Sequence, residues 1–476
     1  MKRTKRILLI APPEGFTTKE YLPPLGIGYM AAVLEKAGHE VMILDTPILH
    51  WSIEEIIKEI QNKNPDLLGI TATSHSRFNA IKIIDGVKGL NCLKVLGGVH
   101  FGSTDVDALQ HIPADVVVRG EGEYTILDIA NNVPFDKILG ITYREDGNIV
   151  RTPDRPFLDL NELPFPARHL FPMSKYNAKL EGEYKTKCAS IITSRGCPNK
   201  CVFCVNKSFW KQRFRRRDAT SVVDEIEHII SRYNIYGFDF WDDTFTLVPA
   251  HVQQICNEII KRRLDIKWYA RIRVDTVNRS ILELMKEAGC RVVSYGIESG
   301  SPRILDVIRK NITLDQVREC TRLCSKLGFH VKVFFMFNHP TEKIRDIEAT
   351  ILLMDEIRQW PNVSIKTAMT YIYPGTEIEQ IAKDEGILPR NFSWNSPYYS
   401  QRNKDYKLSP AVPCFEHIPF EDLIPFIQTG SVRTLLRRGI KQLTWVKNVK
   451  DLYNLYQKAQ GLLLNKVRTY IKFDGY

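Results

Sequence analysis

The stretch Ala189-Ser-Ile-Ile-Thr-Ser-Arg-Gly-Cys197-Pro-Asn-Lys-Cys201-Val-Phe-Cys204 runs from a short apolar strand into a loop carrying three thiols within eight residues. Thiolates in so tight a loop can hold three irons of a cubane cluster. No fourth cysteine completes the spacing, which leaves one iron open, as a catalytic metal needs. Two other readings stay open: a structural zinc site, which prefers four ligands in paired spacing, and buried cysteines brought together by chance.

Working outward from this loop, strands are expected at Ala189–Thr193, Gly237–Trp241, Lys267–Ala270, Val292–Gly296, Val331–Met336 and Thr367–Tyr371, each followed by a helical stretch. Six βα units predict a partial (β/α)6 barrel over 188–390, with its site at the carboxyl ends of the strands. Upstream, 136–187 reads as a linker, with a hairpin around Glu145-Asp-Gly-Asn148 and prolines scattered from Pro153 to Pro172. Before it, residues 1–135 alternate Ile7–Ile10, Glu40–Leu44, Leu67–Ile70, Lys94–Leu96 and Asp115–Val118 with amphipathic stretches, predicting a parallel, Rossmann-like sheet. Its loops Ala11–Gly15, Thr71-Ala-Thr-Ser74, Gly97-Gly-Val-His-Phe-Gly102 and Arg119-Gly-Glu-Gly-Glu123 are rich in small residues that let a bulky ligand approach the backbone. The fold class is therefore α/β, closed by a helical, basic region over 391–476.

The CxxxCxxC spacing with an aromatic, Phe203, before the last cysteine resembles the radical S-adenosylmethionine superfamily. The resemblance implies a [4Fe-4S] cluster on Cys197, Cys201 and Cys204 whose open iron chelates S-adenosylmethionine and cleaves it to a 5'-deoxyadenosyl radical. It also implies an external electron donor of the flavodoxin or ferredoxin kind. Trp241-Asp-Asp-Thr-Phe245 is similar to the family's second-strand loop, which puts Asp242 and Asp243 at the methionine amino group; the alternative is a helix cap. Arg271 and Arg273 stand where a guanidinium pairs with the methionine carboxylate, or else are surface charges. Gly296-Ile-Glu-Ser-Gly300 puts Glu298 and Ser299 on the cofactor, and Tyr373-Pro-Gly-Thr376 ends the sixth strand similarly. After the fifth strand, Phe337-Asn-His-Pro-Thr341 departs from the family's glycine-rich turn, and His339 there is a loop histidine with no assigned task.

The amino-terminal sheet resembles the cobalamin-binding domain of the B12-dependent class of that superfamily, through Leu22–Leu34, Gly97-Gly-Val-His100 and Arg119–Glu123. This resemblance implies cobalamin against Thr71, Thr73, Gly97, Gly98, Val99, His100, Gly120, Glu121, Gly122 and Glu123. No DxHxxG motif supplies a lower ligand to cobalt, and His100 is only the nearest candidate. A sheet that has kept the fold and lost the cofactor is the competing view. Methylation of an unactivated carbon is the leading expectation. The architecture also admits cyclisation, ring contraction or carbon-carbon bond formation on a lipid or other natural product, and the alternative of another class is a non-catalytic iron-sulfur or nucleic-acid-binding protein. No residue names the substrate or a catalytic acid or base.

Composition sets the outer limits. With 476 residues, 44% hydrophobic and 25% charged, and a mean hydropathy of −0.21, the chain reads as folded and cytoplasmic. The apolar stretch Ile7–Ala11 after a basic start is too short for a signal peptide. Ten cysteines spread over this length are expected as reduced thiols. The net charge of +11 leaves nucleic acid, membrane and acidic substrates all possible. The run Lys207–Arg217 interleaves aromatics with cations, as a nucleic-acid grip does, but reads better as a loop near an anionic cofactor, so nucleic acid is not expected as a partner. From Glu421 to Tyr476 ten Lys and Arg stand against four Asp and Glu, 10 − 4 = +6, among scattered Leu, Trp and Tyr. Such helices either lie on anionic membrane, favouring a lipid substrate, or cap a barrel.

Overall fold

A computed structural model describes residues 4–14, 20–180, 186–389, 391–396 and 412–413. Nearly all of the basic region 397–476 lies outside these residues, and so does the expected amphipathic tail.

The first sheet contains β1 (Arg6–Ala11), β2 (Glu40–Asp45), β3 (Leu67–Thr71), β4 (Leu93–Gly97), β5 (Val116–Val118), β6 (Ile141–Glu145) and β7 (Asn148–Arg151), in the order β2-β1-β3-β4-β5-β6-β7. Its first five strands are parallel. Side chains alternate across β1: Ile7, Leu9 and Ala11 pack with Ile27, Ala31 and Leu34 of the helix Leu25–Lys36, while Leu8 and Ile10 pack with Ile56, Ile60, Ile83 and Ile84 on the other face. Helices therefore cover both faces, which is why the strand is apolar throughout. Each large aliphatic side chain so buried contributes about 1.5–3 kcal/mol. Because the chain leaves β1 for β2 on one side and returns to β3 on the other, a crevice opens at the carboxyl ends of β1 and β3, the place where such sheets take ligands.

The expected linker adds to this sheet. β6 pairs antiparallel with β5 and β7 with β6, around Asp146 and Gly147 at φ of +47° and +81°, the pattern of a two-residue primed hairpin turn. Arg119 anchors the hairpin through the Thr152 carbonyl and the Asp154 carboxylate.

The second sheet is all parallel and runs β8 (Cys188–Ile191), β11 (Gly237–Phe240), β12 (Lys267–Arg271), β13 (Cys290–Glu298), β14 (His330–Phe337) and β15 (Val363–Met369) in sequence order. Each crossover sets the next strand beside the last, giving the open six-stranded barrel that the sequence predicts. Between β8 and β11 lies a ribbon of β9 (Ser194–Arg195) and β10 (Arg215–Arg216) that brackets the cysteine loop. Outside the barrel, Trp268 is fully buried and stacks on Phe240 with ring centres 4.7 Å apart.

Candidate functional site

The three cysteines leave β9 on one loop, all as free thiols. Gly196 takes a φ of +89°, and a Cβ there would stand 1.9 Å from the Arg213 carbonyl, so only glycine lets the basic run pack on the loop. Asp243 accepts from the Gly196 N–H at 2.9 Å and from the Asn206 amide at 3.4 Å. Asn199 and Asn206 donate to the sulfurs of Cys197 and Cys204, at 3.1 and 3.4 Å, and the Thr244 hydroxyl points at Cys197 at 3.8 Å. Burial pushes the Cys204 thiol up to about 11 and raises Cys201 as well; an iron bound there would reverse this by displacing the proton. Three thiols ringed by amide and hydroxyl donors suit an iron-sulfur cluster, whose potential depends on such hydrogen bonds. Among the described residues no three His, Cys, Asp or Glu side chains close on a single ion; a cubane binds its thiolates on separate irons and asks for no such convergence.

The remaining barrel residues divide. Asp243 faces the cavity, but Asp242 is turned inward, accepting from the Thr193 N–H at 2.8 Å, the Ser194 hydroxyl at 2.7 Å and the Thr193 hydroxyl. It ties the end of β8 to the end of β11 instead of reaching a ligand. Arg271 is held by Asp239 at 2.6 Å and the Phe240 carbonyl at 2.8 Å. Arg273 pairs with Asp275 at 2.9 Å and is one of two cations that pull the Cys201 thiol back against burial. Ser299 is fully buried, hydrogen-bonded to Thr350 at 3.1 Å and to the Ser301 N–H. Glu298 is buried against Lys310. His339 is fully buried beside Thr370, its ring 6.5 Å from that of Phe203, and burial lowers it to about 4.

On the first sheet, Thr71, Thr73, Gly97, Gly98, Val99, Gly120, Glu121, Gly122 and Glu123 all line one cavity of about 780 Å³. Gly98 has a φ of +85°, and a Cβ would lie 2.5 Å from Thr71 Oγ1, so the backbone itself forms the wall. The carboxylates of Glu121 and Glu123 do not reach into this space as free groups. Arg195 donates to both at 2.7 Å, and Arg215 donates to Glu121 at 2.9 Å. His100 is absent from the wall: Ser74 at 2.9 Å and Asn395 at 3.3 Å take its two ring nitrogens, and burial, helped by Arg77, pushes it down to about 3. It is a neutral packing residue, locked by the segment 391–396 as that segment returns from the barrel.

The same cavity is walled on its far side by Ser194, Arg195, Trp210, Asp239, Trp241, Asp243, Tyr269 and Lys332. The carboxyl ends of the first sheet and the segments that follow β8 and β11 thus open into one chamber, with Tyr269 and Lys332 reaching it from within β12 and β14; Cys197, Cys201, Cys204, Glu298 and Ser299 do not line it. Sequence reasoning missed Arg195, Tyr269 and Lys332. A signal existed for Lys332, the charged member of Val331-Lys-Val333 on an otherwise apolar strand, and for Arg195, two residues before the first cysteine.

Comparison with known proteins agrees with this architecture. Residues 191–354 match the radical SAM superfamily and residues 15–130 the B12 binding domain. An uncharacterized methyltransferase from Pyrococcus horikoshii is 34% identical over 81% of this chain and 85% of its own. The cytidylyl-2-hydroxyethylphosphonate methyltransferase of Streptomyces wedmorensis is 29% identical over 73% of this chain and 77% of its own. The solved structure of the radical S-adenosylmethionine methyltransferase TsrM from Kitasatospora setae, with cobalamin and a [4Fe-4S] cluster bound, superposes with a TM-score of 0.67 at 20% identity, covering 80% of this chain and 79% of that one. Two domain matches in the order of the two sheets, and a relative at this identity over this length, mean that the chain belongs to the radical S-adenosylmethionine superfamily, in the class that sets a B12-binding domain ahead of the barrel and works with a [4Fe-4S] cluster, S-adenosylmethionine and cobalamin.

Proposed function

We propose that this enzyme transfers a methyl group from S-adenosylmethionine to an unactivated carbon of a small-molecule substrate. The observation that carries the reading is one chamber walled both by the loops at the carboxyl ends of the first sheet and by barrel residues, among them Asp243, which holds the start of the cysteine loop through Gly196; it brings the crevice of the first sheet up against the cysteine-bearing side of the barrel. Relatives named as methyltransferases support it. In this reading Cys197, Cys201 and Cys204 would hold the cluster, Asp243 fixes the loop that presents it, and S-adenosylmethionine would be held beside Asp243, with Glu298 and Ser299 shaping the end of β13 from within the fold. Cobalamin would be held along Thr71, Thr73, Gly97, Gly98, Val99, Gly120 and Gly122, which line the crevice. When bound, these groups supply a hydrogen-abstracting radical and a methyl donor. Trp210, Trp241 and Tyr269 give the barrel side of the chamber aromatic walls that limit water around reactive species. Reduction of the cluster draws on an external low-potential electron donor.

The test is anaerobic turnover with trideuteromethyl-labelled S-adenosylmethionine. A product heavier by the labelled methyl group, formed with 5'-deoxyadenosine, is expected. Unlabelled product accompanied by 5'-deoxyadenosine rules methyl transfer out and turns attention to the other radical reactions of the class. No described helix is long and apolar enough to cross a membrane.

A further inference from the structure

Beside the cysteine loop lies a buried ion pair that joins Glu298 of the Gly296–Gly300 segment to Lys310, a residue outside every sequence motif. Lys310 and Glu298 are 9% and 6% exposed, and Nζ stands 2.7 Å from Oε1. Both partners are held in unusual backbone. Glu298 has a φ of +74°, where the register of β13 against β14 slips between Gly296 and Glu298. Its carboxylate folds back over Gly296, where a Cβ would stand 1.9 Å from Oε1 and 3.1 Å from Lys310 Nζ. A non-glycine residue in such backbone is strained and persists only where its surroundings hold it.

Lys310 sits in a turn whose neighbours Arg309 and Asn311 both have φ of +52°. The turn is clasped from two sides: the Val202 N–H, inside the cysteine loop, donates to the Ile308 carbonyl at 3.2 Å, and Arg273 donates to the Lys310 carbonyl at 3.1 Å. Lys310 Nζ is 5.9 Å from the centre of the Phe203 ring, the residue immediately before Cys204. Taking both ions out of water is costly, and buried pairs can often be replaced by apolar residues of similar size without loss to the fold.

We propose that Lys310 tunes the reduction potential of the cluster held by Cys197, Cys201 and Cys204, with Glu298 as its counter-charge. The inference rests on the cluster assignment made above. One electron from an external low-potential donor takes [4Fe-4S]2+ to [4Fe-4S]+, and no bond or proton changes at the ion pair. A nearby ammonium favours the more negative, reduced state, and the carboxylate opposes it.

The experiment is a potentiometric titration of the reconstituted full-length protein, followed by the electron paramagnetic resonance signal of the reduced cluster, without S-adenosylmethionine. In Lys310→Met the ratio of reduced to oxidised cluster at a fixed potential is expected to fall at least tenfold, a midpoint more negative by about 59 mV or more. Glu298→Gln is expected to move it the opposite way, and Lys310→Arg to restore most of the wild-type value. If Lys310→Met fails to hold a cluster, Glu298→Gln decides alone: a less negative midpoint supports the proposal, and an unmoved or more negative one overturns it. Intact clusters with unmoved midpoints in both variants overturn the tuning and leave the cluster assignment standing. A wild-type protein that takes up no iron and sulfide overturns both.

Discussion

The cysteine loop and the crevice of the first sheet were built in contrasting ways. In the loop, three ligands lie within eight residues and their supporting donors, Asn199 and Asn206, are local too. In the crevice, the wall comes from the ends of β1, β3, β4 and β5, and much of it is backbone. The carboxylates beside it answer to arginines more than seventy positions away. A site made of side chains on one short segment is readable as chemistry. A site made of backbone exists only once the fold does.

Removing all three thiols is the largest perturbation and tests whether the two regions are independent. Cys197→Ala, Cys201→Ala and Cys204→Ala together are expected to abolish iron uptake and 5'-deoxyadenosine formation, while the visible absorbance of bound cobalamin persists. If cobalamin is lost as well, the two regions act as one unit.

Arg195→Ala cuts the clamp that joins them. Arg195 is buried between Glu121 and Glu123. Removing one member of a buried ion network costs about 3–5 kcal/mol, to be read as a lower urea midpoint. The chamber should loosen, so that 5'-deoxyadenosine forms in excess of methylated product. Unchanged stability would show that Arg215 suffices to neutralise Glu121.

Gly98→Ala probes the crevice alone. The new methyl meets Thr71 Oγ1 and the Ala72 carbonyl, and the positive φ strains any side chain. A loss of about 1–3 kcal/mol and weaker cobalamin binding are expected, with iron content unchanged. The smallest effect concerns His100. Its native ring stays neutral down to about 3 while the unfolded chain takes up a proton near 6.5. Stability from this residue is therefore complete above that higher value and is lost as pH falls from 6.5 toward 3. At pH 6 the loss is on the order of 1 kcal/mol or less relative to pH 7.5, and His100→Gln should flatten that slope in urea titrations.

Most of the fold was legible because each strand is a short apolar run followed by a helical period. The exceptions have physical causes. Asp146-Gly147 announced a hairpin, but nothing local says which sheet it joins; the antiparallel pairing of β6 with β5 and the grip of Arg119 decide that. Asp242 and Asp243 are adjacent just beyond β11 and both hold the segment after β8, but Asp242 is wholly taken up by Thr193 and Ser194 while Asp243, which takes the Gly196 N–H, also lines the chamber. A sequence cannot tell which until the register is known. His100 looked available because its partner Asn395 lies 295 positions away. Lys310 sits in no recognisable motif, and its importance follows only from what the turn around it touches.

The joint chamber also has a kinetic meaning. Groups bound along its two walls face one another across a single enclosed space, so they meet without diffusing through solvent. A short-lived carbon radical born in such a compartment needs only reorientation to find its quencher, and the fidelity of the enzyme becomes a question of who is already inside.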